Sequence, residues 1–153
     1  MGDIARSKPY LTQLQIIEQS KGCVMHGMKG SDACYNGFGE AYFSTVNSGL
    51  IKGWKLHQKM TLNLVVPNGK IRFVVHDANP NSMGGKVSPL IDVVLGPHNY
   101  FRLTVPPSFW VAFQGVSMGS SMLLNIADIE HDADEAINKP ADFFLAEGFN
   151  LNV

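Results

Sequence analysis

The sequence predicts an all-β domain, a sandwich or barrel of short antiparallel strands, and three observations predict it. About eight short runs rich in apolar, β-branched and aromatic residues follow one another from residue 40 to residue 127, each bounded by Gly, Pro, Asn or Ser. Pro67-Asn68-Gly69 sits between two such runs, and Asn-Gly is the strongest short-range hairpin signal. No helix-length crossover separates the runs, although parallel strands would need one, so an α/β fold is not expected.

The elements follow in order. Leu11 to Glu18 carries Leu11, Leu14, Ile16 and Ile17, a weak helical spacing that suits a short helix or an arm. Lys21 to Gly39 is dense in Gly and small polar residues and reads as loop with room for one short strand. The first barrel strand is expected over Ala41 to Val46, before the Asn47-Ser48-Gly49 turn. Leu50 to Lys59 and Thr61 to Val66 follow, and after the Asn-Gly turn Lys70 to His76 should pair back. A long loop is expected from Asp77 to Ser88. Leu90 to Leu95, Tyr100 to Val105, Phe109 to Phe113 and Ser121 to Ala127 complete the strands, with Gly96–Asn99 and Pro106-Pro107 between them. Asp132, Asp134 and Glu135 open an acidic tail of helical pattern that Pro140 ends. The expected organisation is therefore an arm and loop region over 1–39 and a barrel with its tail over 40–153, in one domain.

Composition narrows the function classes. The 153 residues suffice for one domain with a buried core. With 45% hydrophobic and 16% charged residues the chain is globular rather than disordered. Twelve basic against thirteen acidic residues give a net charge of -1, which makes no electrostatic case for nucleic acid or an anionic membrane. No apolar run is long enough to span a bilayer, and the first residues lack a signal core, so a cytoplasmic location is expected. Cys23 and Cys34 read as free thiols.

Chemistry concentrates on Lys52-Gly53-Trp54-Lys55-Leu56-His57-Gln58-Lys59-Met60. Side chains alternate along a strand, so Lys55, His57 and Lys59 should share one face and Trp54, Leu56 and Gln58 the other. Polar groups on the concave face of a small barrel make a ligand pocket; a solvated outer face is the competing reading. No dinucleotide or Walker-type phosphate loop occurs, and Gly84-Gly85-Lys86 is followed by Val87 rather than a hydroxyl residue. A Gly-x-Ser-x-Gly elbow is also missing.

From Tyr42 to Glu135 the sequence resembles the RmlC-like cupins, sugar-nucleotide epimerases typified by dTDP-4-dehydrorhamnose 3,5-epimerase. The resemblance rests on "YFSTVNSGLIKGWKLHQKMTLNLVVPNGKIRFVVHD", "NYFRLTVPPSFWVAFQG" and "LLNIADIEHDADE". It is nearest to a compact branch with Trp-Lys-x-His-x-x-Met-Thr-x-Asn-Leu, found among surface-polysaccharide genes. It implies a double-stranded β-helix, the cupin jelly-roll barrel, with a short C-terminal helical tail. It also implies a nucleotide-linked sugar as ligand, no cofactor, and a homodimer in which Lys8 to Ile17 is the candidate arm.

Carried over residue by residue, Lys52 stands where the family has a diphosphate-binding Arg, and Lys55 where it has its catalytic His. The family's Asp after the turn strand is Asp77, its second His is Val111, and its acid Tyr falls at about Asn125. His57, two residues from Lys55, is the remaining candidate base, since an imidazole can take up and release a proton near neutral pH. Lys55 would stabilise an enolate or act as the base itself. Asp77 would orient His57 or tune Lys55. Asn63 and Asn125 would bond sugar hydroxyls, and Trp110 would stack on a ring. A single imidazole makes a poor metal site, so no metal is expected. Three readings follow: a nucleotide-sugar epimerase or isomerase (a 3,4-ketoisomerase included), a non-catalytic sugar-nucleotide binder, or a scaffold subunit.

Overall fold

A computed structural model describes residues 7–78 and 88–143. Among the described residues twelve strands run in chain order: β1 (Tyr10–Gln13), β2 (Ile16–Gln19), β3 (Gly22–Met25), β4 (Glu40–Asn47), β5 (Ile51–His57), β6 (Leu62–Asn68), β7 (Ile71–Asp77), β8 (Ile91–Leu95), β9 (Phe101–Val105), β10 (Phe109–Gly115), β11 (Ser120–Ala127) and β12 (Ala136–Asn138). One five-stranded sheet has the order β1-β9-β6-β11-β4, and a second has β12-β5-β10-β7-β8. All their strand pairs are antiparallel. β2 and β3 form a separate hairpin.

The inner faces of the two sheets make the core. Leu62, Leu64, Leu103 and Leu123 of the first sheet meet Ile71, Phe73, Val75 and Val111 of the second in one apolar cluster. Alternation sorts these residues. Along β11, Ser121, Leu123, Asn125 and Ala127 are buried while Met122, Leu124 and Ile126 are only half-buried. On β5 and β10, Trp54, Leu56, Trp110 and Ala112 point the other way. With Val74 they form a second apolar cluster on the outer face of the second sheet.

The structure corrects four expectations. Leu11 to Glu18 holds no helix, because Tyr10–Gln13 pairs in register with Phe101–Thr104 and Ile16–Gln19 pairs with Gly22–Met25. The Asn68-Gly69 turn closes no hairpin: β6 lies between β9 and β11, β7 between β10 and β8. Asn-Gly serves here as a corner between sheets. Gly69 has φ 81°, a Cβ there would collide with Ser121, and the Lys70 N–H donates to Ser117 Oγ (3.0 Å) and Ser121 Oγ (3.1 Å). Among the described residues the acidic tail is one 3-10 turn (Ala133–Glu135), capped by the Asp132 carboxylate, and then a strand. Lys59 lies beyond the end of β5 and lines a separate hollow with Thr61 and Asp128. Most of the expected Asp77–Ser88 loop, with Gly84-Gly85-Lys86, lies outside the described residues.

Between β3 and β4 the chain lies on the outer face of the first sheet. Buried Arg102 holds it, donating from Nη1 to the Gly27 carbonyl (2.8 Å) and the Asp32 carboxylate (2.9 Å). Cys23 and Cys34 are both free.

Candidate active site

A cavity of about 380 Å³ opens between the two sheets. Tyr42 and Ser44 from β4 line one side, and Lys52, Lys55 and His57 from β5 the other. Leu62, Leu64, Val111, Phe113 and Leu123 are its apolar lining, and Asn138 and Lys139 reach it from β12 and just beyond. Three lysines and a histidine therefore share one hollow, and none of the described lining residues is acidic. A site of this charge favours an anionic ligand.

A bulge puts Lys52 there. Strict alternation sets Lys52 on the face of Trp54 and Leu56, away from Lys55. In register, however, Lys55 faces Val111 and Lys52 faces Phe113, so Gly53 and Trp54 together oppose Ala112. The extra residue restores Lys52 to the inner face. Gly53 permits it: φ is 123°, and a Cβ would sit 2.8 Å from the Ala112 Cα, the Ala112 Cβ and the Val111 carbonyl oxygen. Lys52 Nζ then donates to Ser44 Oγ across the cavity (3.1 Å).

His57 is buried, and its Nδ1 bonds the Glu135 carboxylate. The other Glu135 oxygen accepts three successive backbone N–H groups, from Gln58 (3.0 Å), Lys59 (2.9 Å) and Met60 (3.3 Å). Burial raises the Glu135 pKa, but bonds from the His57 ring and the N–H groups of Lys59 and Met60 outweigh it and hold the carboxyl below its ordinary 4.5. An ionised carboxylate only accepts, so Nδ1 carries the hydrogen and Nε2 is the basic nitrogen of His57.

The other expected residues fall elsewhere. Asn125 is fully buried beneath the cavity: Oδ1 accepts the Asn63 N–H (3.0 Å) and Nδ2 donates to Tyr42 Oη (3.1 Å). Asn63 is buried too, accepting from Thr104 Oγ1 (2.8 Å) and donating to the Ile126 carbonyl (3.2 Å). These amides brace the first sheet, and neither lines the cavity. Trp110 lies on the outer face, its ring 5.1 Å from that of Phe143. Asp77 ends β7 opposite Phe109 and does not line the cavity. Its expected role beside His57 is filled by Glu135.

Glu135, Tyr42 and Lys139 are the functional candidates that the sequence alone does not single out. Glu135 sits in an acidic run whose bland explanation, a helix start, was sufficient. Tyr42 carried a signal: with Ser44 it forms an alternating polar pair on the first barrel strand, the pattern that singled out Lys55 and His57. Among the described residues no group of three His, Cys, Asp or Glu could hold a metal ion.

Comparison with solved structures finds close likeness. A dTDP sugar isomerase from Desulfovibrio desulfuricans is 31% identical, over 93% of this chain and 89% of that one, with a TM-score of 0.83. A sugar 3,4-ketoisomerase from Thermoanaerobacterium thermosaccharolyticum, solved with TDP, is 18% identical over 93% and 95%, with a TM-score of 0.70. A 3'-monoepimerase from Streptomyces bikiniensis, solved with dTDP-quinovose, is 12% identical over 97% and 77%, with a TM-score of 0.78. No family model and no curated protein matches the chain.

Proposed function

Because this chain belongs to the RmlC-like cupins, we propose that it is a nucleotide-sugar isomerase or epimerase acting on the carbon next to a keto group, in surface-polysaccharide synthesis. The observation that carries this reading is the His57–Glu135 dyad set in a cavity lined by three lysines. His57 Nε2 takes the proton α to the ketone, and Glu135 stabilises the imidazolium that forms. The Lys55 ammonium stabilises the enolate oxygen. Tyr42 belongs to the opposite sheet, so its hydroxyl, fixed by Asn125, can return a proton to the other face of the carbon. Lys52 and Lys139 are both exposed at the cavity and hold the diphosphate as point charges.

The test is proton exchange. In deuterated water with dTDP-4-keto-6-deoxyglucose, the sugar should gain deuterium next to its keto group, and His57→Asn should stop it. Lack of exchange with this and related keto-sugar nucleotides, despite binding, would replace the reading by a non-catalytic binder. Val111 favours that second reading, since an apolar residue stands where the family has a histidine.

The homodimer belongs to the same proposal. The β2–β3 hairpin pairs with no other strand among the described residues and exposes Ile17 and Val24, while β1 at the sheet edge exposes Tyr10 and Leu11. An isolated hairpin is marginal in water, so a second copy is the expected support. Light scattering should report twice the chain mass; a monomer would overturn this. A cytoplasmic location fits two free thiols. Among the described residues no helix is long and apolar enough to cross a membrane.

A further inference from the structure

One strap carries parts of the site at both its ends. Glu135 stands at its start, and its backbone carbonyl accepts the Gln58 N–H (2.9 Å). β12 then runs beside β5, with Ala136 opposite His57, Ile137 opposite Leu56 and Asn138 opposite Lys55. Lys139 continues the pairing: its N–H donates to the Trp54 carbonyl (2.9 Å), and the Trp54 N–H donates back (2.8 Å). The same segment thus sets the carboxylate behind His57 and brings Asn138 and Lys139 into the cavity.

So short an edge pairing, Ala136 to Lys139, holds such a segment weakly. The outer aromatic cluster supplies the rest. The Trp54 indole, 1% exposed, donates from Nε1 to the Ala141 carbonyl (3.1 Å). The Phe143 ring packs against Trp110 at 5.1 Å, and Lys139 Nζ lies 5.6 Å from the centre of the Phe143 ring. None of these rings except Trp54 reaches the cavity.

We propose that Phe143, clamped on Trp110, is a positioning residue for catalysis: it seats the strap on β5 and so sets both the Glu135–His57 dyad and Lys139. The inference rests on the reading of His57 as the base. It predicts an unusual kinetic pattern. Lys139→Ala should raise KM with little change in kcat, and Glu135→Gln should lower kcat with little change in KM. Phe143→Ala should do both, by about tenfold each, since a small misplacement of catalytic groups is enough for losses of this order. Phe143→Tyr keeps the ring and should restore both constants.

The spectroscopic readout is independent of turnover. An imidazole N–H bonded to a buried carboxylate gives a far-downfield proton resonance. Wild type should show it, with His57→Asn as the assignment control. Phe143→Ala should lose or broaden it while the rest of the spectrum stays folded, and Phe143→Tyr should keep it. Phe143→Leu serves in its place if Phe143→Ala does not fold. Retention of the resonance and of both kinetic constants in Phe143→Ala would overturn the proposal, as would a lowered melting temperature with the resonance intact. If wild type exchanges no substrate proton, the functional reading fails on its own, and the resonance still decides whether Phe143 seats the dyad.

Discussion

Replacing Glu135 by Gln should separate chemistry from folding in this protein. The wild-type carboxylate takes four donors, one ring N–H and three backbone N–H groups, the latter at 2.9 to 3.3 Å. In Glu135→Gln the amide oxygen can keep the three backbone donors, but the NH2 group then faces His57 Nδ1. That nitrogen must accept, so the ring hydrogen moves to Nε2 and the base is lost. The hydrogen-bond count survives while charged bonds become neutral ones, so the expected stability loss is about 1 kcal/mol. The rate should fall by about two to four orders of magnitude, the usual worth of a positioned base, or roughly 3–5 kcal/mol in barrier. Glu135→Ala instead leaves the His57 ring N–H and the Lys59 and Met60 N–H groups without their acceptor, while the Gln58 N–H keeps the Glu135 carbonyl, and should lose about 3–5 kcal/mol of stability as well. The carboxyl's depressed pKa gives the pH signature. Its stabilisation is complete above the ordinary value of 4.5 and fades as pH falls through the lower folded value, so wild type and Glu135→Gln should converge in stability only in acid. Urea unfolding at neutral and acid pH, with deuterium exchange into the substrate, measures both. Exchange by Glu135→Gln within about threefold of wild type would refute the dyad.

Three further outcomes are expected. Gly53→Ala forces a Cβ to within 2.8 Å of Ala112 at φ 123°, so it should lower stability by about 2 kcal/mol or more and weaken dTDP binding by turning Lys52 away; urea melts and titration calorimetry check this. Asn125→Ala strands the buried Asn63 N–H and frees the Tyr42 hydroxyl, so it should lose about 1–3 kcal/mol of stability and slow exchange, whereas Tyr42→Phe leaves the buried Asn125 Nδ2 without that acceptor and should slow exchange with a loss of about 1 kcal/mol or more. His76, buried against Trp54, has its pKa pushed down to about 4, chiefly by burial, with the Asp92 charge and a bond to the Ser88 backbone opposing. The unfolded chain binds that proton near 6.5, so stability should be full above pH 6.5 and fall between 6.5 and about 4, by at most roughly 3 kcal/mol, and His76→Gln should flatten this part of the profile.

Legibility in the sequence followed the range of the interaction. The runs of β11 and β5 were readable because alternation is local: Trp54 and Leu56 do face away from Lys55 and His57. Sheet partners were not. β6 and β7 join at Asn68-Gly69, yet they do not pair with each other: β6 pairs with β9 and β11, β7 with β10 and β8, and a turn motif carries no information about this choice. The same limit hid the site's other half. Glu135 lies 78 residues from His57, so nothing in the acidic run marks which carboxylate will be buried. Trp110 read as a ligand platform because an aromatic on a strand has two faces to choose between, and the choice depends on the register of β10 against β5.

The departures from the family pattern make sense as a set once the register is known. Lys55 and Val111 stand directly opposite one another on β5 and β10, and the sequence resemblance aligns both with histidines of the family. A second titrating ring facing Lys55 would compete with its charge; valine instead gives the lysine stem an apolar surface to lie on while its ammonium stays in the cavity. In the proposed mechanism the base, His57, is then two residues further along β5, on the same inner face. That shift is workable only because β12 pairs with the end of β5, placing Ala136 opposite His57 and the preceding Glu135 at its Nδ1. A histidine at position 55 would face Asn138 across the strands instead, with no carboxylate at the matching place. His57→Lys combined with Lys55→His should therefore fold and still fail to exchange substrate protons, because the orienting carboxylate belongs to position 57.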